Sequence, residues 1–122
     1  MNAVSTNATE MDVVSCMDVS YITFSLSPEF VNLETLLIYE KNFPFAFTFN
    51  VTGLPSLKVI VIGENSFTLN PYSFGRDRSR SFHLTNCPEL TRFVALSYSF
   101  SDYSGEVEFS SIDNGLITSR FT

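Results

Sequence analysis

The 122-residue chain has no Trp, two Cys, a single His, five scattered Gly and no long apolar run. Each scarcity excludes something. A membrane-spanning helix needs roughly 18 or more consecutive apolar residues, and no segment approaches that, so no membrane span is expected. The opening MNAVSTNATEMD lacks both the basic start and the apolar core of a signal peptide. Cys16 and Cys87 are too few for a disulfide framework and lack metal-ligand spacing, so both read as buried free thiols. His83 has no Ser, Asp or Cys at the spacing of a known nucleophile motif. The scattered glycines form no phosphate-cradling loop. Catalytic residues, metal ligands and cofactors are therefore all read as none, and the chain as no enzyme. Positive charge is also short: seven Lys+Arg against thirteen Asp+Glu give a net charge of −6. Nucleic-acid binding depends on a basic surface that releases counterions, so it is not expected.

What the chain has is apolar residues, 44% of the total, and thirteen Phe. Phe carries no polar tip and fills interiors more readily than wet surfaces. The length suits one domain with a modest core.

These residues recur in columns. LETLLIYEKNF (33–43), LKVIVIGENSF (57–67) and LTRFVALSYSF (90–100) align without a gap. Their first positions are Leu33, Leu57 and Leu90. Next come Leu36, Ile60 and Phe93, then Ile38, Ile62 and Ala95, and last Phe43, Phe67 and Phe100. The preceding segments recur too: FNVTGLPSL (49–57) matches FHLTNCPEL (82–90), with looser copies in FSLSPEFVNL (24–33) and VEFSSIDNGL (107–116). The last copy holds one extra residue before Leu116. An earlier unit begins near Met11, with Val14, Cys16 and Tyr21 in the strand and turn columns. The long interval between Leu57 and Leu90 comes from an insertion, TLNPYSFGRDRSRS, whose Asn-Pro, Gly and Arg residues read as a solvated surface loop. Periods in the twenties describe stacked units, each too small to bury its own apolar face.

The segment Leu57-x-x-Ile60-x-Ile62-x-x-Asn65-x-Phe67 resembles the leucine-rich repeat L-x-x-L-x-L-x-x-N-x-L, with Phe in place of the last Leu. Lys41 and Tyr98 hold the Asn column in the other copies, so no Asn ladder is expected. The segments Val51-Thr52-Gly53-Leu54-Pro55-Ser56-Leu57 and Leu84-Thr85-Asn86-Cys87-Pro88-Glu89-Leu90 are similar to the A-F-x-x-C-x-x-L run of the BspA-like class, a bacterial and protist surface-antigen type. The resemblance covers roughly residues 24 to 121. It implies a β-rich, leucine-rich-repeat-like solenoid of stacked parallel strands with irregular or short helical returns. As a domain, 1–122 divides into about four repeats near 24–48, 49–81, 82–106 and 107–122, after a degenerate unit at 1–23. The resemblance also implies a non-catalytic protein-recognition module that binds through the outward face of its strand sheet. It allows a cell-surface setting, while the residues themselves leave localisation open.

Strand alternation puts Leu36, Ile38, Ile60, Ile62, Phe93 and Ala95 inward. The outward positions are then Leu37, Val61 and Val94, followed by Tyr39, Gly63 and Leu96, and the candidate partner surface is Leu37, Tyr39, Lys58, Val61, Arg92, Val94 and Leu96. An apolar outward row is either a recognition surface for a protein partner or one face of a strand buried on both sides. The sequence leaves both open. It also permits a structural fragment of a longer repeat array with no binding of its own, because LITSRFT (116–122) starts a strand unit whose open edge invites self-association.

Overall fold

The computed structural model describes residues 7–14, 22–26, 28–68, 79–96, 99–100 and 103, with the strand backbones at 107–112 and 117–118. Nine short strands and no helix occur among these residues. They form two sheets between which the chain alternates. The first sheet contains β1 (Glu10–Val13), β3 (Thr35–Ile38), β5 (Val59–Ile62), β7 (Arg92–Ala95) and β9 (Ile117–Thr118), side by side in that order. The second contains β2 (Thr23–Leu26), β4 (Thr48–Thr52), β6 (Ser81–Cys87) and β8 (Val107–Ile112). Every pairing is parallel.

The registers reproduce the sequence columns. Leu36 pairs with Ile60 and Ile60 with Phe93. Phe24, Phe49, Phe82 and Val107 fall in one row of the second sheet. The strands β1 to β5 and β7 bury alternate residues, as at Thr35–Ile38 and Val59–Ile62. The inward side chains of both sheets meet in one core, which includes Leu33, Leu57 and Leu90 from the turns leading into the first sheet.

Phenylalanine organises that core. Phe24, Phe49 and Phe82 stack at centroid separations of 5.4 and 4.8 Å. Phe43, Phe67 and Phe100 form a second stack at 5.2 and 4.7 Å. The two stacks interlock edge to face, with Phe49 against Phe67 at 5.4 Å and Phe82 against Phe100 at 5.2 Å. Rings packed edge to face gain about 0.5–1.5 kcal/mol per pair beyond their burial. Phe43, Phe67 and Phe100 also sit at positive φ, between 54° and 60°. That backbone costs an L-residue about 1–2 kcal/mol, and ring burial of about 1.5–3 kcal/mol offsets it.

Four expectations are corrected. The returns are neither irregular nor helical: the alternation Phe49-Asn50-Val51-Thr52 and its counterpart Phe82-His83-Leu84-Thr85 form strands of a second sheet. In the first unit Met11 and Val13 point inward, while Val14 is 66% exposed; Cys16 and Tyr21 lie outside the described residues. β9 pairs Arg92 with Ile117 and Phe93 with Thr118, one residue earlier than an alignment on Leu116 requires. The insertion is not wholly solvated, since Arg80 is 1% exposed. Its guanidinium lies over the Phe47 ring at 4.7 Å, and Nη1 donates to the Pro44 and Ala46 carbonyls at 3.2 and 3.4 Å. Arg76 and Arg78 lie outside the described residues.

A ladder does run in a column other than the one in which none was expected. A buried polar column does link the copies, one position after the expected Asn column. Asn42 Nδ2 donates to the Val14 carbonyl at 3.2 Å, Ser66 Oγ to Tyr39 at 2.9 Å, and Ser99 Oγ to Gly63 at 2.7 Å. Each reaches the carbonyl just past the neighbouring strand of the first sheet, where the backbone leaves the ladder; the Tyr39 carbonyl also accepts from Asn42 Nδ2 at 2.8 Å. Lys41 and Asn65, at φ 61° and 58°, precede the first two of these residues in the turn.

Candidate apolar cleft on the five-stranded sheet

The outer faces of the two sheets differ in chemistry. Outward from the second sheet stand Thr23, Ser25, Thr48, Asn50, Thr52, Ser81, His83 and Thr85, a polar face that water solvates. Thr52 and Thr85 hydrogen-bond across adjacent strands through their hydroxyls. Outward from the first sheet, one row runs Asp12, Leu37, Val61, Val94 by strand register. Asp12 is exposed; the three aliphatic residues are half-buried.

The next row continues past the strand ends. Hydrogen bonds from the amides of Tyr39, Gly63 and Leu96 to the carbonyls of Val13, Ile38 and Ile62 extend the ladder by one residue, placing Gly63 between Tyr39 and Leu96. Tyr39 is 49% and Leu96 47% exposed. With no side chain at Gly63, an open cleft of about 470 Å³ remains, lined by Leu37, Tyr39, Val61 and Leu96 with Glu40 and Glu64 beside them. The gap is enforced by packing. A Cβ on Gly63 would collide with the Tyr39 carbonyl carbon and the Glu40 amide nitrogen.

The structure thus brings together four of the seven expected site residues, Leu37, Tyr39, Val61 and Leu96, and places Val94 next to Val61 in the outward row. It sets the other two apart. Lys58 lies just before β5, at the opposite end of the sheet from Gly63, where Nζ contacts Glu34 Oε1 at 3.0 Å with both side chains about half exposed. Such an exposed pair contributes about 0–1 kcal/mol. Arg92 opens β7 at that same end. Sequence reasoning passed over Glu40 and Glu64, although they share one column of the repeat immediately after Tyr39 and Gly63.

Other chemistry is sparse. Cys87 is buried and free, its thiol donating to the Thr85 carbonyl at 3.4 Å. Burial raises its pKa above the ordinary 9.0, against smaller lowering by backbone bonds from Leu54 and Gly53. Cys16, also expected as a buried free thiol, lies outside the described residues. His83 is half-buried on the outer face of the second sheet, next to Asn50. Among the described residues, no three His, Cys, Asp or Glu side chains cluster as metal ligands. Of the expected self-associating edge at 116–122, only the backbone of Ile117 and Thr118 is described. No protein-family model, curated protein or solved structure matches the chain.

Proposed function

We propose that the chain is a leucine-rich-repeat-like solenoid of the BspA-like kind, serving as a non-catalytic module that recognises a protein partner through the outer face of its five-stranded sheet. The observation that carries this reading is the contrast between the outer faces. Half-buried Leu37, Val61 and Val94, with exposed Tyr39 and Leu96, form a continuous apolar strip on the first sheet. The second sheet presents hydroxyl, amide and imidazole groups at the equivalent outward positions. Solvation accounts for the second pattern. The first exposes apolar area that a solvated sheet does not need, and contiguous patches of that sort mark interaction sites.

The test is partner capture by immobilised protein, comparing wild type with Val61→Lys and with Asn50→Lys on the opposite face. The reading predicts a protein retained by wild type and Asn50→Lys and lost with Val61→Lys. Equal recovery with all three would remove the apolar strip as the binding surface.

A further inference from the structure

Resting on that reading, we propose that the cleft over Gly63 receives a lysine or arginine side chain of the protein partner. The apolar walls accept the methylene stem of such a residue: Leu37 and Val61 lie along the sheet, and Leu96 stands across the gap from Tyr39. The Tyr39 ring is half-exposed beside the opening, and an aromatic face attracts a cation brought within about 6 Å of its centroid. Glu40 and Glu64 border the cleft, both exposed, and neither forms an ion pair among the described residues. Lys41, the nearest cation in sequence, is exposed and does not line the cleft.

These features select among occupants. A purely apolar side chain would fill the walls but draw water away from two carboxylates without compensating them. An acidic side chain would meet like charge. A basic residue matches both parts, its stem covering aliphatic surface while its head stays at the wet, acidic rim. Gly63 cannot gain a side chain without displacing the turn after β3, so no side chain at this position can fill the cleft.

The experiment is an NMR titration of ¹⁵N-labelled protein with three small probes, Nα-acetyl-lysine methylamide and its arginine and norleucine counterparts. The proposal predicts saturable shifts centred on the amides of Tyr39, Gly63, Glu64 and Leu96 with both cationic probes. Norleucine, which keeps the stem without the charge, should bind about fivefold more weakly or worse. The Glu40→Gln/Glu64→Gln double variant changes exposed groups only, so its spectrum should report an intact fold while lysine-probe affinity falls by a similar factor. Norleucine binding as well as lysine, an unchanged affinity in the double variant, or no saturable shifts at these amides would each overturn the proposal. If any of these occurs while capture still depends on Val61, the basic occupant alone is wrong. If capture does not depend on Val61, the recognition face itself falls.

Discussion

At the scale of single residues, the turn leaving the first sheet rests on a polar atom turned inward. Asn42 illustrates the demand: its Nδ2 lies within 3.3 Å of the Val13, Val14, Tyr39 and Glu40 carbonyls. Removing the amide takes a donor from the part-buried Val14 and Glu40 carbonyls, while Val13 keeps the Tyr39 amide and Tyr39 keeps the Ser66 hydroxyl, so Asn42→Ala should cost about 0.5–1.5 kcal/mol in urea-induced unfolding. Asn42→Ser should cost less, because Ser66 and Ser99 already do this work from the same column. Equal losses for both variants would contradict the ladder. This column escaped sequence reading for a physical reason. The repeat pattern that the sequence resembles directs attention to Lys41, Asn65 and Tyr98, but at Lys41 and Asn65 the backbone turns through positive φ and the side chain that follows meets the carbonyls.

Cys87 supplies a second prediction at this scale. In a Cys16→Ser background the thiol should resist Ellman's reagent until the protein unfolds, since it is buried and its thiolate is disfavoured. The sign of the linkage follows. Above the unfolded pKa near 9.0, the unfolded chain releases the thiol proton while the native chain retains it. Stability therefore falls as pH rises through that region, and Cys87→Ala should flatten this part of the profile. Rapid native-state labelling would show the site to be open.

At the scale of elements, the two Phe stacks hold the sheets together. Phe67 touches both, with Phe43 and Phe100 in its own stack and Phe24 and Phe49 across the core. Phe67→Ala should cost about 3–5 kcal/mol, a large fraction of the stability of a small domain. Thermal melting checks this, and a midpoint within experimental error of wild type would contradict it. Much at this scale was legible in the sequence. The columns Leu36/Ile60/Phe93 and Phe49/Phe82 are strand registers because apolar residues must face one core in every copy. The second sheet was legible as well, through period-two alternation at Phe49-Asn50-Val51-Thr52, but the resemblance directed attention to irregular or helical returns. Arg80 was not legible. A basic run containing Gly and Ser reads as solvated, and only the structure shows Phe47, Tyr103 and two carbonyls receiving that guanidinium.

At the scale of the whole molecule, two parallel sheets share one core and present unlike outer faces. The apolar strip could be named from the sequence, since Leu37, Val61 and Val94 occupy one outward column. Its cleft could not, because the cleft depends on where the chain bends after β3 and on the close approach of Gly63 to that bend. The proposed recognition surface is the outer face of the five-stranded sheet. Its most direct measurement is site-specific photo-crosslinking, with p-benzoylphenylalanine placed at position 61 in one sample and at position 50 in another. Recognition through this face predicts a discrete protein adduct from position 61 that disappears in a Tyr39→Ala/Leu96→Ala background, and none from position 50. Adducts of equal yield from both positions, or from position 50 alone, would contradict it.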